Sequence, residues 1–342
     1  MDAHRPRIGV TLGDPAGIGP EIVVRALADP LVWGELVPVL FGSAAVLARA
    51  IDVMGAPLRV VERARPEEAV GEPGTLDLVA TSARPEPPPL GQVSAAGGEE
   101  AGRAIVAAVQ AAQAGAIDGI TTAPLNKEAL QLGGYRYPGH TEMLTELFGS
   151  AGVYTMFVTG SLHIFFLTRH HPLSAVPGLM TEPRVYDGLA QCVAFLRQLG
   201  FADPTLALAA LNPHGGENGL LGREELDVLR PAVARAKAAG LPVEGPIPAD
   251  AVFCQAQAGR YTGVLSLYHD QGHIAAKTLD FYGTVSVTLG LPVIRTSVDH
   301  GTAFDIAGQG VAEARGQVAA LTTAARLTRQ RQQAAAGRGG EA

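Results

Sequence analysis

Short runs rich in Val, Ile and Leu alternate along the chain with longer stretches whose apolar residues recur every three to four positions. RIGVTL, VPVLFG, LDLVAT, IDGITTAP, HIFFLT, TLALAAL, GVLSLY and TVSVTLGL have the length and β-branched content of buried strands. PEIVVRALADP, GGEEAGRAIVAAVQAAQAGA, TEPRVYDGLAQCVAFLRQLG and REELDVLRPAVARAKAAG lie between them and predict amphipathic helices. That alternation predicts an α/β fold with a largely parallel sheet. The length of 342 residues favours two lobes with a cleft over a single core. ARPEPPPLGQVS is Pro-dense and reads as a surface loop, and RQRQQAAAGRGGEA reads as a frayed end.

Composition narrows the function. With 47% hydrophobic and 17% charged residues the chain is a well-buried globular protein. A net charge of -7 argues against nucleic-acid and anionic-membrane partners, which select basic surfaces, and leaves a small molecule as the expected ligand. MDAHRP leads straight into a strand, without the charged and then apolar run of a signal peptide, and no stretch of about twenty apolar residues suggests a membrane span. A cytoplasmic location is expected. Cys192 and Cys254 form no CxxC pair, and neither is expected to be catalytic or disulfide-bonded.

In open α/β sheets ligands gather at the carboxyl ends of strands. Three strand-like runs end there on a histidine: FFLTRH at His170, LAALNPH at His214 and LSLYH at His269. Imidazoles from three elements suit zinc or another borderline divalent ion and leave positions open for substrate oxygens. The spacing matches no compact zinc motif, and His171 and His273 compete for the same roles. His163 reads as a sheet residue and His4 as part of the terminus. Asp250 in GPIPAD and Asp270 in YHDQG lie close to these histidines in sequence, placed to accept an imidazole N–H or an alcohol proton, or simply to cap loops.

Lysine is scarce, at positions 127, 237 and 277 only. Lys127 opens a helix after ITTAPLN, Lys237 reads as solvated surface, and Lys277 follows His269 by about two helical turns. Lys277 and Arg295, in LPVIRTSVDHG, are the candidate anion ligands, one a point charge and the other a planar fork. GDPAGIGPE has neither the GxGxxG nor the P-loop spacing and reads as a tight βα turn.

SVDHGTAFDIAGQGVA resembles the cofactor loop of isocitrate and isopropylmalate dehydrogenases, which holds the adenosine end of NAD outside any Rossmann fold. The resemblance implies cofactor contacts at His300, Gly301, Thr302, Ala303 and Asp305. GDPAGIGPE, ITTAPLNKEAL, YPGHTEML, LNPHGGE, GPIPAD, YHDQG and TLGLPVIRTSVDHGTA occur in order over nearly the whole chain, which thereby resembles the 4-hydroxythreonine-4-phosphate dehydrogenase family of vitamin B6 biosynthesis.

This resemblance implies two α/β/α lobes with an isocitrate dehydrogenase-like rather than Rossmann fold. A cofactor-side lobe would span residues 1–125 and 286–330, a metal and dimerisation lobe 126–285, and a disordered tail 331–342. It also implies a homodimer whose divalent metal, zinc, magnesium or cobalt, is bound by His170 and His214 with His269 of the neighbouring subunit. Substrate contacts would be His140, Thr141, Lys277 and Arg295, and catalytic roles would fall to Lys277, Asp250 and Asp270. Ser286 stands where the family usually has Asn, and so bears on the substrate.

The expected reaction is NAD- or NADP-dependent oxidation of 4-phosphohydroxy-L-threonine to a β-keto acid, which decarboxylates to 3-amino-2-oxopropyl phosphate in pyridoxine 5'-phosphate biosynthesis. D-Threonate or D-erythronate 4-phosphate and carboxylated cis-dihydrodiols are the alternative substrates. A three-histidine metal hydrolase or aldolase, and a non-catalytic binding protein, are the rival classes.

Overall fold

A computed structural model describes residues 5–339. By the density of internal contacts the chain divides into two compact units, 1–154 with 285–329 and 155–284 with 330–342.

The first unit contains β1 (Arg7–Thr11), β2 (Val37–Ser43), β3 (Arg59–Glu62), β4 (Thr75–Ser82), β5 (Gly119–Thr122), β11 (Val285–Leu289) and β12 (Ile294–Val298). Its strand order is β3-β4-β2-β1-β5-β12-β11, parallel throughout except for β11, which runs antiparallel to β12. This is not the 3-2-1-4-5-6 order of a Rossmann sheet. The helices are α1 (Gly19–Leu27), α2 (Pro30–Glu35), α3 (Ala44–Met54), α4 (Ala95–Gln113), α5 (Lys127–Leu132), α6 (His140–Leu147) and most of α12 (Arg315–Gly339). They cover both faces of the sheet. Leu40 packs with Val23, Leu27, Leu47 and Leu321 on one side. Its neighbours Val39 and Phe41 pack with Ile105, Val109 and Met143 on the other. Continuous burial along β2 follows from this two-sided cover, and it explains why VPVLFG is apolar without alternation.

The second unit holds β6 (Tyr154–Thr159), β7 (Leu162–Phe166), β8 (Leu206–Ala209), β9 (Val243–Ile247) and β10 (Gly263–Ser266) in the order β6-β7-β10-β8-β9. Only the β6–β7 hairpin is antiparallel. Its helices are α7 (Val176–Leu179), α8 (Glu182–Gln198), α9 (Arg230–Ala238), α10 (Ala249–Gln257) and α11 (His269–Leu279). Val252, Ala256 and Ala276 from α10 and α11 pack on Ile164, Phe166 and Val264. On the opposite face Gly188 of α8 approaches the side chains of Leu167 and Leu265.

Two expected boundaries move. Residues 126–154 join the first unit, because Leu130, Met143 and Leu144 of α5 and α6 are buried in one cluster with Ile105 and Ile120. The predicted disordered tail is helical as far as Gly339, with residues 340–342 outside the described part. Ala, Gln and Arg are strong helix formers, and Gln330 and Ala334 pack against Gly200 beyond the end of α8. Cys192 is buried and Cys254 exposed, and neither is in a disulfide. Among the described residues no helix is long and apolar enough to cross a membrane.

Candidate active site

Strands β5, β12 and β11 build one polar face in the first unit. Register pairs Thr122 with Ser297, Ser297 with Ser286, and Arg295 with Thr288. Because alternate residues of a strand share a face, Thr122, Arg295, Ser297, Ser286 and Thr288 all point the same way. Arg295 is only 4% exposed. It donates from Nη2 to Thr122 Oγ1 at 2.5 Å and from Nη1 to Thr288 Oγ1 at 3.1 Å, while its Nε has no partner. Both acceptors are neutral hydroxyls. Burial without a counter-charge pulls the guanidinium pKa down to about 10. Arg295 is thus a buried cation that no carboxylate among the described residues offsets.

His140 opens α6 within the same unit, and Thr141 follows it, half-buried. The Nε2 of His140 is buried and unpartnered. Desolvation holds the imidazole pKa well below its usual value, and the nearby Arg295 charge acts in the same direction. His140 is therefore a neutral imidazole beside a bare guanidinium. Lys127 flanks the start of α6, its Cε 3.6 Å from where a Cβ on Gly139 would stand.

The loop after β12 carries the expected cofactor residues. Ala303, Ile306 and Ala307 pack beneath it on Ile18, Ile22, Val298, Ala312 and Ala314. His300, Gly301 and Asp305 are left exposed, and a Cβ on Gly301 would meet nothing within 4 Å. An open backbone beside an exposed carboxylate fits the adenosine end of a dinucleotide, whose ribose hydroxyls seek an acceptor. His300 Nδ1 lies 3.0 Å from Gly301 O, and Ala303 has a φ of 41°, so the turn is tightly constrained.

The histidines lie in the second unit. His170 and His269 border a cavity of about 290 Å³ with Arg169, Tyr268 and Asp270, their ring centroids 6.3 Å apart. Asp270 Oδ1 is 2.7 Å from His269 Nδ1, an orienting contact of the kind metal-bound imidazoles make. His214 stands on a left-handed run in which His214, Glu217 and Asn218 all have positive φ, and its Nδ1 lies 3.0 Å from Glu217 Oε1. Glu225, fully buried, accepts the N–H groups of Leu211 and Asn212 and so fixes the entrance to this run.

Among the described residues no three metal-binding side chains of one chain converge. The imidazole donors suit a divalent ion, but a single chain brings only His170 and His269 to one cavity. His273 is a packing residue: it stacks on His269 at 3.6 Å, meets Phe157 and Phe166, and lies with Nδ1 2.7 Å from the His269 carbonyl oxygen. His171 is exposed, and His163 Nδ1 lies 2.8 Å from Thr262 O within the sheet. Asp250 is exposed in the first turn of α10 and has no hydrogen bond to the histidines. Lys277, on α11, lies 4.9 Å over the Phe281 ring.

Residues 35–324 match the family described as pyridoxal phosphate biosynthetic protein PdxA. A "Putative D-threonate 4-phosphate dehydrogenase" of Symbiobacterium thermophilum is 49% identical over 317 residues, covering 91% of this chain and 93% of that protein. A 4-hydroxythreonine-4-phosphate dehydrogenase structure from Klebsiella pneumoniae is 40% identical, covers 96% of this chain and 100% of its own, and superposes with a TM-score of 0.89. A terephthalate 1,2-cis-dihydrodiol dehydrogenase from Burkholderia xenovorans is 30% identical, with coverage of 92% and 96% and a TM-score of 0.61. Fold and relatives together make this chain an oxidoreductase of the dehydrogenase class. More narrowly, it belongs to the PdxA family.

Proposed function

We propose that the protein oxidises the C3 hydroxyl of a four-carbon hydroxy acid 4-phosphate with NAD, and that D-threonate 4-phosphate is its preferred substrate. Arg295 carries this reading: a buried guanidinium bonded only to hydroxyls needs a ligand with an acidic group. 4-Phosphohydroxy-L-threonine differs at C2, where it has an amine in place of a hydroxyl. Ser286 shares the face of Thr288 and Arg295, about 7 Å along β11 from Thr288. Its hydroxyl reaches less far than the amide usual in the family and suits a C2 hydroxyl better than an ammonium, which calls for a strong acceptor. This shifts the reading from the aminated substrate toward the sugar acid, in line with the names of relatives 44 to 49% identical.

In the proposed reaction the C3 hydrogen leaves as hydride to NAD and the hydroxyl proton goes to solvent or a base. The β-keto acid formed then loses CO2, giving dihydroxyacetone phosphate from D-threonate 4-phosphate. A divalent ion held by His170, His214 and the neighbouring subunit's equivalent of residue 269 would lower the alcohol pKa and hold the developing carbonyl charge. Arg295 binds an acidic group of the substrate, Thr122 and Thr288 hold its fork in place, and His140 gives or accepts a hydrogen bond without carrying charge. Lys277 supplies a second cation.

A homodimer completes this reading. Ile274, Leu279, Phe281 and Tyr282, on and just after the helix bearing His269 and Lys277, are exposed apolar residues suited to burial by a second copy. The test is incubation of purified protein with NAD, a divalent metal and a substrate panel while following NADH absorbance. Chelator-sensitive NADH formation, greatest with D-threonate 4-phosphate, is expected. Turnover without NAD would select a hydrolase or aldolase, and preference for 4-phosphohydroxy-L-threonine would overturn the assignment at C2.

A further inference from the structure

We propose that Glu21 is the positioning residue of the cofactor loop, its buried carboxylate locking residues 302–312 into the shape that receives the dinucleotide. The inference rests on the reading of that loop given above. Glu21 belongs to GDPAGIGPE, a segment that sequence alone explains as a turn. In the structure one face of α1 and its N-terminal approach grips the loop at successive points. The Ile18 N–H donates to Thr302 O at 2.9 Å. The Glu21 Oε1 accepts the Gly308 N–H at 2.5 Å, and its Oε2 accepts the Gly310 N–H at 3.2 Å. Arg25 Nη1 donates to Ala312 O at 3.0 Å. Positions 18, 21 and 25 follow helical spacing, so one ridge of side chains and backbone meets the loop from end to end.

Within the loop the backbone bonds from Ile306 N–H to Ala303 O and from Gln309 N–H to Ile306 O are 3.2 Å long, and Gln309 Nε2 donates to Asp305 O at 2.9 Å; its C-terminal half, at Gly308 and Gly310, is held from α1. Gly17 admits the loop, because a Cβ there would stand 2.7 Å from Thr302 O. Glu21 is 3% exposed, which holds its carboxylate in place on the half-buried Gly308 and Gly310 amides. Its place in the first turn of α1 also sets a negative charge at the positive end of the helix. A carboxylate offers two acceptors to two amides, whereas Gln at this position would turn its own NH2 against one of them.

Glu21→Gln, Glu21→Asp and Glu21→Ala are to be compared with wild type by NADH fluorescence titration and by hydrogen exchange of the 301–312 segment. Loss of one charge-assisted bond predicts NADH binding about tenfold weaker in Glu21→Gln. The loss is larger in Glu21→Ala and partly rescued in Glu21→Asp, and exchange at Gly308 and Gly310 is faster. Glu35→Ala, which removes the Glu35–Arg329 ion pair, controls for general destabilisation and leaves NADH affinity unchanged. If Glu21→Ala does not fold, Glu21→Gln carries the test. A folded Glu21→Gln that binds NADH like wild type overturns this proposal alone, while wild type that binds no NADH overturns the reading of the loop as well.

Discussion

Arg295→Met is expected to raise stability while abolishing recognition of the substrate. The guanidinium is buried, and no carboxylate lies within ion-pair distance of it among the described residues. A fall in pKa from the usual guanidinium range to about 10 corresponds to roughly 3 kcal/mol against the charged form in the folded state. A basic group whose folded pKa is depressed loses stability at every pH below that value. Only above about 10, while the unfolded chain still holds the proton, does stability recover with rising pH. At neutral pH the whole penalty is therefore present. Methionine fills a similar volume without charge, but the substitution gives up two bonds to threonine hydroxyls worth about 1 kcal/mol each. The net is a gain of about 1 kcal/mol, or a Tm higher by about 2 °C for a chain of this size. Substrate affinity moves the other way, by about a hundredfold or more, since bonds to a charged group contribute about 1.5 to 3 kcal/mol each. Thermal unfolding without ligand and KM for D-threonate 4-phosphate measure the two halves. A Tm lowered by several degrees, or an unchanged KM, would refute the picture of an uncompensated cation kept for its ligand.

Three further outcomes are expected. His214→Ala abolishes turnover with an unchanged circular dichroism spectrum, and activity retained at saturating metal removes this residue from the ligand set. Ser286→Asn raises the ratio of kcat/KM for 4-phosphohydroxy-L-threonine over D-threonate 4-phosphate by about tenfold, the scale of one hydrogen bond, and an unchanged ratio makes the position silent. His140 has a folded pKa depressed by burial and then by Arg295, so the unfolded chain takes up a proton near pH 6.5 that the folded chain refuses, and stability falls as pH drops through that value. His140→Gln flattens this acid limb in thermal shift measurements, and a limb of unchanged slope assigns it to other groups.

The eight apolar runs picked out from the sequence are strands, because each carries its own run of buried residues; even β4, half-buried or exposed from Val79 onward, is buried from Thr75 to Leu78. Four strands escaped: β3, β6, β9 and β12. β3, RVVE, is a short edge strand with charged ends, and β9, VEGPI, contains Gly and Pro. β12, IRTSV, carries three polar residues in a row, Arg295, Thr296 and Ser297, although it is fully buried. Its polarity hid the strand and at the same time marks the site, since Arg295 and Ser297 lie on the face that also holds Thr122 and Thr288. Nothing local announces those threonines as supports of the fork: Thr122 is 173 positions from Arg295. The same holds for Glu21, 287 and 289 positions from the amides it accepts. Strand-end histidines were legible because each terminates its own apolar run, whereas His273 was separated from them only by its stacking on His269.

Strand β11 divides its labour residue by residue. Val285, Val287 and Leu289 are buried and anchor the strand, while Ser286 and Thr288 share the face of Arg295. Under the proposed function, anchoring and selectivity are thus written in interleaved positions of one five-residue segment. A change of preferred metabolite can arise there by a single codon without loosening the scaffold, so relatives of one family can diverge in diet while keeping the same architecture.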